Sequence, residues 1–224
     1  MLVAVDQNLW VVAAPLNFLG VHVGTRMTVV RLSNGRLWLH SPVPLEPQAR
    51  ADLAALGEVG HIVAPNMFHH LYVGDTASLF PGATVHAVAG LRRKRRDLHI
   101  DEMLGPEPSS AWAADLDQLQ IEGTWLAETV FFHRATRTLI SSDLAENFAS
   151  SGHWFTRFYL KTQGLENRFR IAWLLRVCYR DKQKARRCID RMLEWDIERV
   201  ILAHGRILET GGRDELRAAF DWLK

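Results

Sequence analysis

Apolar residues fall in short runs through the first part of the chain, at 9–12, 27–32 and 37–39, separated by turn residues such as Asn34-Gly35. Runs of this length bounded by turns predict a meander of β-hairpins over residues 1–40. After Pro42-Val43-Pro44 the rhythm changes: Ala and Leu recur at helical spacing over 46–56, Gly57 ends the run, and 61–64 is a short apolar stretch expected as a buried strand. A strand, helix, strand passage of this kind belongs to a mixed sheet. A second unit is expected over 74–104, with a helix at 75–79 and a strand at 83–88, and then a loop at 105–110. The runs at 119–121, 128–132 and 138–140 predict antiparallel strands that lead into Ser141-Ser142-Asp143. From about 154 to 195 apolar positions recur at helical spacing with charges on the opposite faces, which predicts two or three helices. A strand at 199–203 and a helix at about 213–223 close the chain.

The length of 224 residues suits one domain, 1–224. With 27 Lys and Arg against 25 Asp and Glu, the net charge of +2 gives no argument for nucleic acid or an anionic membrane as a partner. Cys178 and Cys188 are too few and too poorly spaced for a disulfide scaffold or a thiolate metal site, so a reducing cytoplasm is the expected setting. The N-terminus has no basic stretch, carries Asp6 and Asn8 and is broken by Pro15, unlike a signal peptide. No apolar run approaches the roughly 18 residues of a membrane span.

Metal-assisted chemistry needs imidazoles and carboxylates at strand ends, where loops can hold them around one ion. Four places qualify: His40 after 37–39, His69-His70 after 61–64, Asp143 after 138–140 and His204 after 199–203. A lone strand-end histidine is more often a structural hydrogen-bonding group than a ligand. The ordered succession of all four weakens that bland reading.

In this succession the chain resembles the metallo-β-lactamase superfamily, through Thr138-Leu139-Ile140-Ser141-Ser142-Asp143 and Val200-Ile201-Leu202-Ala203-His204-Gly205. The resemblance implies a four-layer αβ/βα sandwich, with the helical insert of about 154–195 before the last strand. It also implies where ligands should be. With His70 laid on the last histidine of H-x-H-x-D-H, His69 falls on the aspartate, while Pro65 and Met67 fall on the first two histidines. Glu122-Gly123-Thr124 resembles the Pro-Gly-His segment with Thr124 in place of the histidine. One metal pocket is thereby lost. The residues left for the other, His70, Asp143 and His204 with His69, imply a mononuclear site; zinc is the default ion, with iron and manganese suited to the same ligand types. His69 is open as ligand or as general base. His40 is open as a partner behind the site or a cap of the Pro42 turn, and Asn66 as a turn residue or a group facing the site.

The run Arg92-Arg93-Lys94-Arg95-Arg96 lacks an interleaved aromatic, so a solvated face is the first reading and attraction of an anionic substrate the second. The aromatics of 154–195 pack the insert down or, as a lid, favour a substrate with an apolar part. The expected function is a metal-dependent hydrolase of a small molecule, anionic or partly apolar. A non-catalytic binding or scaffold protein is the alternative. An iron-dependent oxidoreductase is weaker, because the ligands such members use fall at Pro65, Met67 and Thr124.

Overall fold

The computed structural model describes residues 1–223. The chain begins with β1 (Val3–Asp6) and β2 (Leu9–Ala14), then a small hairpin of β3 (Asn17–Phe18) and β4 (Val21–His22). It returns along β5 (Thr25–Arg31) and β6 (Leu37–His40). Next come α1 (Pro47–Leu56), β7 (Val59–Ala64), α2 (Val73–Leu79), β8 (Thr84–Ala87), α3 (Leu91–Lys94) and β9 (Glu102–Met103). The second half runs β10 (Leu116–Gln120), β11 (Thr129–His133), β12 (Thr138–Ile140) and β13 (Glu146–Phe148). It continues with α4 (Trp154–Thr162), β14 (Arg168–Arg170), α5 (Trp173–Arg176), α6 (Lys182–Met192), β15 (Arg199–Ile201) and α7 (Gly212–Ala219).

Seven strands form one sheet in the order β1-β2-β5-β6-β7-β8-β9, and four form a second in the order β10-β11-β12-β15. The hairpin-connected half of the first sheet is antiparallel, and β6 through β9, joined through helices, are parallel. Every residue of β7 is buried, as expected of a strand covered on both faces. The two sheets face each other across a core that holds Trp38 and Val63 from the first and Leu116, Phe131 and Ile140 from the second. Trp38 and Phe131 meet edge to face with ring centroids 4.8 Å apart, and burying such a side chain contributes roughly 1.5–3 kcal/mol. Ala49 and Leu53 of α1 cover the outer side of the first sheet. Ala185, Ile189 and Met192 of α6, with Leu216 of α7, cover the outer side of the second. The layers are therefore helix, sheet, sheet, helix.

The expected helical insert differs in one respect. Alongside its helices it contains β14, which pairs antiparallel with β13, Asn147 opposite Phe169. Arginines at 168 and 170 flank a single aromatic, which hides so short a strand from a reading of apolar runs. No helix among the described residues is long and apolar enough to cross a membrane.

Candidate metal centre

Three loops that leave parallel strands meet at one edge of the sandwich. The segment after β7 carries His69, the segment after β12 carries Asp143, and the segment after β15 carries His204. Parallel pairing of β12 with β15, Ile140 opposite Ile201, sends the last two segments out side by side. His69 Nε2 lies 3.3 Å from Asp143 Oδ1 and His204 Nε2 lies 3.4 Å from the same oxygen. One ligand atom from each of the three lies within 4.8 Å of the others.

The nitrogen of each imidazole that faces away from Asp143 is engaged. His204 Nδ1 is 2.6 Å from the Gly24 carbonyl, which can only accept, so Nδ1 carries a proton. That leaves His204 Nε2 either as the second N–H of an imidazolium or as a lone pair for a cation, so proton and metal compete for one nitrogen. His69 Nδ1 is 2.6 Å from the Ser41 hydroxyl. Burial would lower the His204 pKa, but the Asp143 carboxylate raises it above its ordinary value. Burial alone would raise the Asp143 carboxyl, yet the two imidazoles, His69 foremost, hold it well below the usual carboxylate range.

The carboxylate is also oriented. Asn66 Nδ2 donates to Asp143 Oδ2 at 2.7 Å, leaving Oδ1 to the histidines. Asn66 Oδ1 meanwhile accepts the backbone N–H groups of Phe68 and His69, each at 2.8 Å. Both readings of Asn66 hold together: it forms the turn and it faces the site. Beneath them lies Glu128, fully enclosed, whose carboxylate accepts from the Ser141 hydroxyl at 2.5 Å, from the Ser142 N–H at 2.7 Å and from the Asp143 N–H at 3.0 Å. Burial, then the neighbouring Asp143, raises its pKa. Glu128 therefore fixes the backbone that presents Asp143. Sequence reasoning gave it no role, and its one signal is a carboxylate at the head of an otherwise apolar strand.

The last segment is shaped by Gly205, at φ +74°. A Cβ there would run into the Asn147 carbonyl, so the residue after His204 has to be glycine. The same contact puts Asn147 in a parallel bridge with Gly205.

His70, expected as a ligand, is not gathered with the other three. Its Nδ1 lies 2.9 Å from Arg95 Nη1. Burial, then Lys94 and Arg95, pushes its pKa down to about 4. The basic run is accordingly partly structural. Lys94 Nζ donates to the Met67 carbonyl at 2.6 Å, and Arg95 pairs with Asp97 at 2.6 Å. His40 lies buried against Trp38, and burial, then His69, takes its pKa to about 3. Of the positions where the resemblance lacks ligands, Met67 takes a backbone bond from its N–H to the Leu126 carbonyl, and Thr124 bridges to Tyr179.

The buried polar atoms without a hydrogen-bond partner include His40 Nε2 and Glu146 Oε2, and both of these residues interact electrostatically with Asp143. Burial lifts the Glu146 pKa to about 7. Unsatisfied polar atoms flanking a set of two imidazoles and a carboxylate fit a site built to hold one further group, and the donor types suit a single divalent cation.

A second group of histidines lies within the first sheet. His61 Nδ1 and His86 Nε2 are 3.1 Å apart, and His86 Nδ1 lies 3.4 Å from Glu102 Oε2. Trp112 packs edge-on against both rings. Here the imidazoles bond to each other rather than converge on a common point.

Among solved structures, a metallo-β-lactamase from Pontibacter korlensis is similar with a TM-score of 0.68 and 13% identity, over 98% of this chain and 98% of that one. The FIM-1 metallo-β-lactamase from Pseudomonas aeruginosa, in its mono-zinc form, is similar with a TM-score of 0.65 and 13% identity, over 100% of this chain and 94% of that one. The DIM-1 metallo-β-lactamase exposed to ceftazidime gives 0.68 and 14%, over 100% and 97%. At these identities the likeness concerns the fold, and the chain has the metallo-β-lactamase fold. No curated protein matches the sequence. A family profile described as "Domain of unknown function (DUF4336)" matches residues 6–152, well over half of the 224 residues, including His69 and Asp143. By that match the chain belongs to the DUF4336 family.

Proposed function

We propose that this protein is a metal-dependent hydrolase with a mononuclear site, in which His69 Nε2, Asp143 Oδ1 and His204 Nε2 hold one divalent ion, zinc by preference. The observation that carries the reading is the direction of the imidazoles: their outer nitrogens are anchored by Ser41 and Gly24, and their inner nitrogens converge on one carboxylate oxygen. Outer partners of this kind fix tautomer and ring orientation in metal sites. When bound, such an ion supplies Lewis acidity and lowers the pKa of a coordinated water.

The chain's own residues do the rest. Asn66 and Glu128 hold Asp143 turned toward the histidines, whose imidazoles keep it ionised. Arg26 donates to the carbonyls of Leu202 and Gly205, both at 2.5 Å, and so grips the backbone on either side of His204. With both nitrogens committed, His69 acts as a ligand and not as a general base. Pro65, Met67 and Thr124 in place of histidines support one ion and not two, the degenerate form of the H-x-H-x-D-H pattern. The substrate is a small molecule.

Zinc-loaded protein and chelator-stripped protein are compared on chromogenic esters, thioesters, lactams and phosphoesters. Hydrolysis of at least one class, dependent on zinc and abolished in His204→Ala, is the expected result. One equivalent of bound zinc with no turnover on any class would favour the non-catalytic reading, in which the site is retained for binding alone.

A further inference from the structure

A cavity of about 490 Å³ lies behind the segment that carries His204, with Gly24, Ala203 and Gly205 in its wall. Its lining includes Arg26, Arg206, His22 and Ser151 together with Ala14, Phe148 and Leu160. None of the lining side chains is acidic. Several other half-buried arginines are paired, Arg199 with both Asp6 and Glu209 for example, whereas Arg170 and Arg176 make no ion pair among the described residues. Among the described residues neither Arg26 nor Arg206 makes an ion pair, and Arg26 has only the two backbone carbonyls for its charge. A guanidinium removed from bulk water without a counter-charge is costly, and its planar fork matches a tetrahedral oxyanion better than it matches carbonyls. Ser151 Oγ accepts the His153 N–H at 3.2 Å, so its own proton is available to a ligand.

We propose that this cavity is a binding site for a phosphate-type oxyanion, with Arg26 and Arg206 supplying the charge and Ser151 a hydroxyl donor. The apolar residues of the lining suit the uncharged part of a phosphate ester. Two sources carry that chemistry, a soluble phosphate ester and a phospholipid headgroup. The second is raised by the surface just outside the cavity. The outward face of α4 presents Trp154, Arg157, Phe158 and Lys161 at one-turn spacing, and the adjoining β3–β4 hairpin exposes Phe18 and Leu19. Hairpin and helix are joined by the His22 N–H bond to Thr156 Oγ1 at 2.9 Å and by stacking of His22 on His153. Aromatic and cationic side chains mixed on one face are suited to an anionic lipid surface.

The test uses the 224-residue chain stripped of metal by chelation, so that phosphate cannot be held by an ion at the histidine site and failure of the metal reading leaves the result intact. Binding of inorganic phosphate and of glycerol phosphate is measured by calorimetry, and binding of vesicles of equal parts phosphatidylcholine and phosphatidylglycerol by co-sedimentation. Saturable binding to either, weakened about tenfold or more in Arg206→Ala, is expected. Arg206 is exposed, so that variant keeps the fold, and circular dichroism verifies it. Phosphate binding without vesicle binding assigns the soluble source, and vesicle binding lost in Trp154→Ala assigns the headgroup. No saturable binding to any of these, or binding unchanged by Arg206→Ala, overturns the proposal.

Discussion

Two groups of histidines sit in this molecule, and they are built in opposite ways. In the His61, His86 and Glu102 group each imidazole finds its partner within the group, and burial, followed for His86 by its neighbour His61, lowers both pKa values. In the His69, Asp143 and His204 group the outer nitrogens are tied to Ser41 and Gly24, and the inner ones face a common point. Residue types are alike in the two, imidazoles beside a carboxylate. What separates a structural cluster from a candidate metal centre is where the nitrogen lone pairs point, and that is decided by the carbonyls and hydroxyls behind the rings.

Breaking each group in turn gives the largest expected contrast. Asp143→Asn or His204→Ala abolishes zinc binding in competition with a chromogenic chelator, and His86→Asn leaves it intact. The carboxylates behind the two groups differ next. Glu128→Ala strands the Ser141, Ser142 and Asp143 donors in the interior and lowers stability by about 3 kcal/mol in urea unfolding. Glu102, largely exposed, costs at most about 0.5 kcal/mol when replaced by alanine.

Acid sharpens the contrast from the other side. His86 is held to about 4 in the folded protein against an ordinary 6.5, so the unfolded chain binds its proton first. Stability therefore falls as pH drops from 6.5 toward 4, by up to about 1.4 kcal/mol per pH unit and about 3 kcal/mol in total, and is retained above 6.5. Denaturation of His86→Phe across that range has the shallower slope. Ser41→Ala, which removes only the anchor of His69, weakens zinc binding about tenfold. The smallest effect on zinc belongs to His70→Asn: its ring faces Arg95, and zinc affinity shifts by less than about twofold.

Much of the scaffold is legible in the sequence because strand ends coincide with abrupt changes from apolar to polar residues. The run 138–140 is β12 to the residue, and Asp143 and His204 follow their strands as expected. His69 and His70 could not be separated that way. Which of two adjacent side chains turns inward is set by Asn66, whose amide closes the turn and reaches Asp143 at once, and neither spacing nor composition records that geometry. Glu128 escaped notice for a related reason: a carboxylate heading a strand reads as an exposed end until the fold buries it beneath the Asp143 backbone. The β13–β14 pair was hidden by its brevity, three residues a side with arginines in the pattern.

The most direct measurement is the metal stoichiometry of chelator-stripped protein titrated with zinc, read by elemental analysis after removal of free ion. One equivalent per chain, lost in His204→Ala and kept in His70→Asn, is the predicted result. No retained zinc, two equivalents, or an equivalent that survives His204→Ala but not His70→Asn would contradict it.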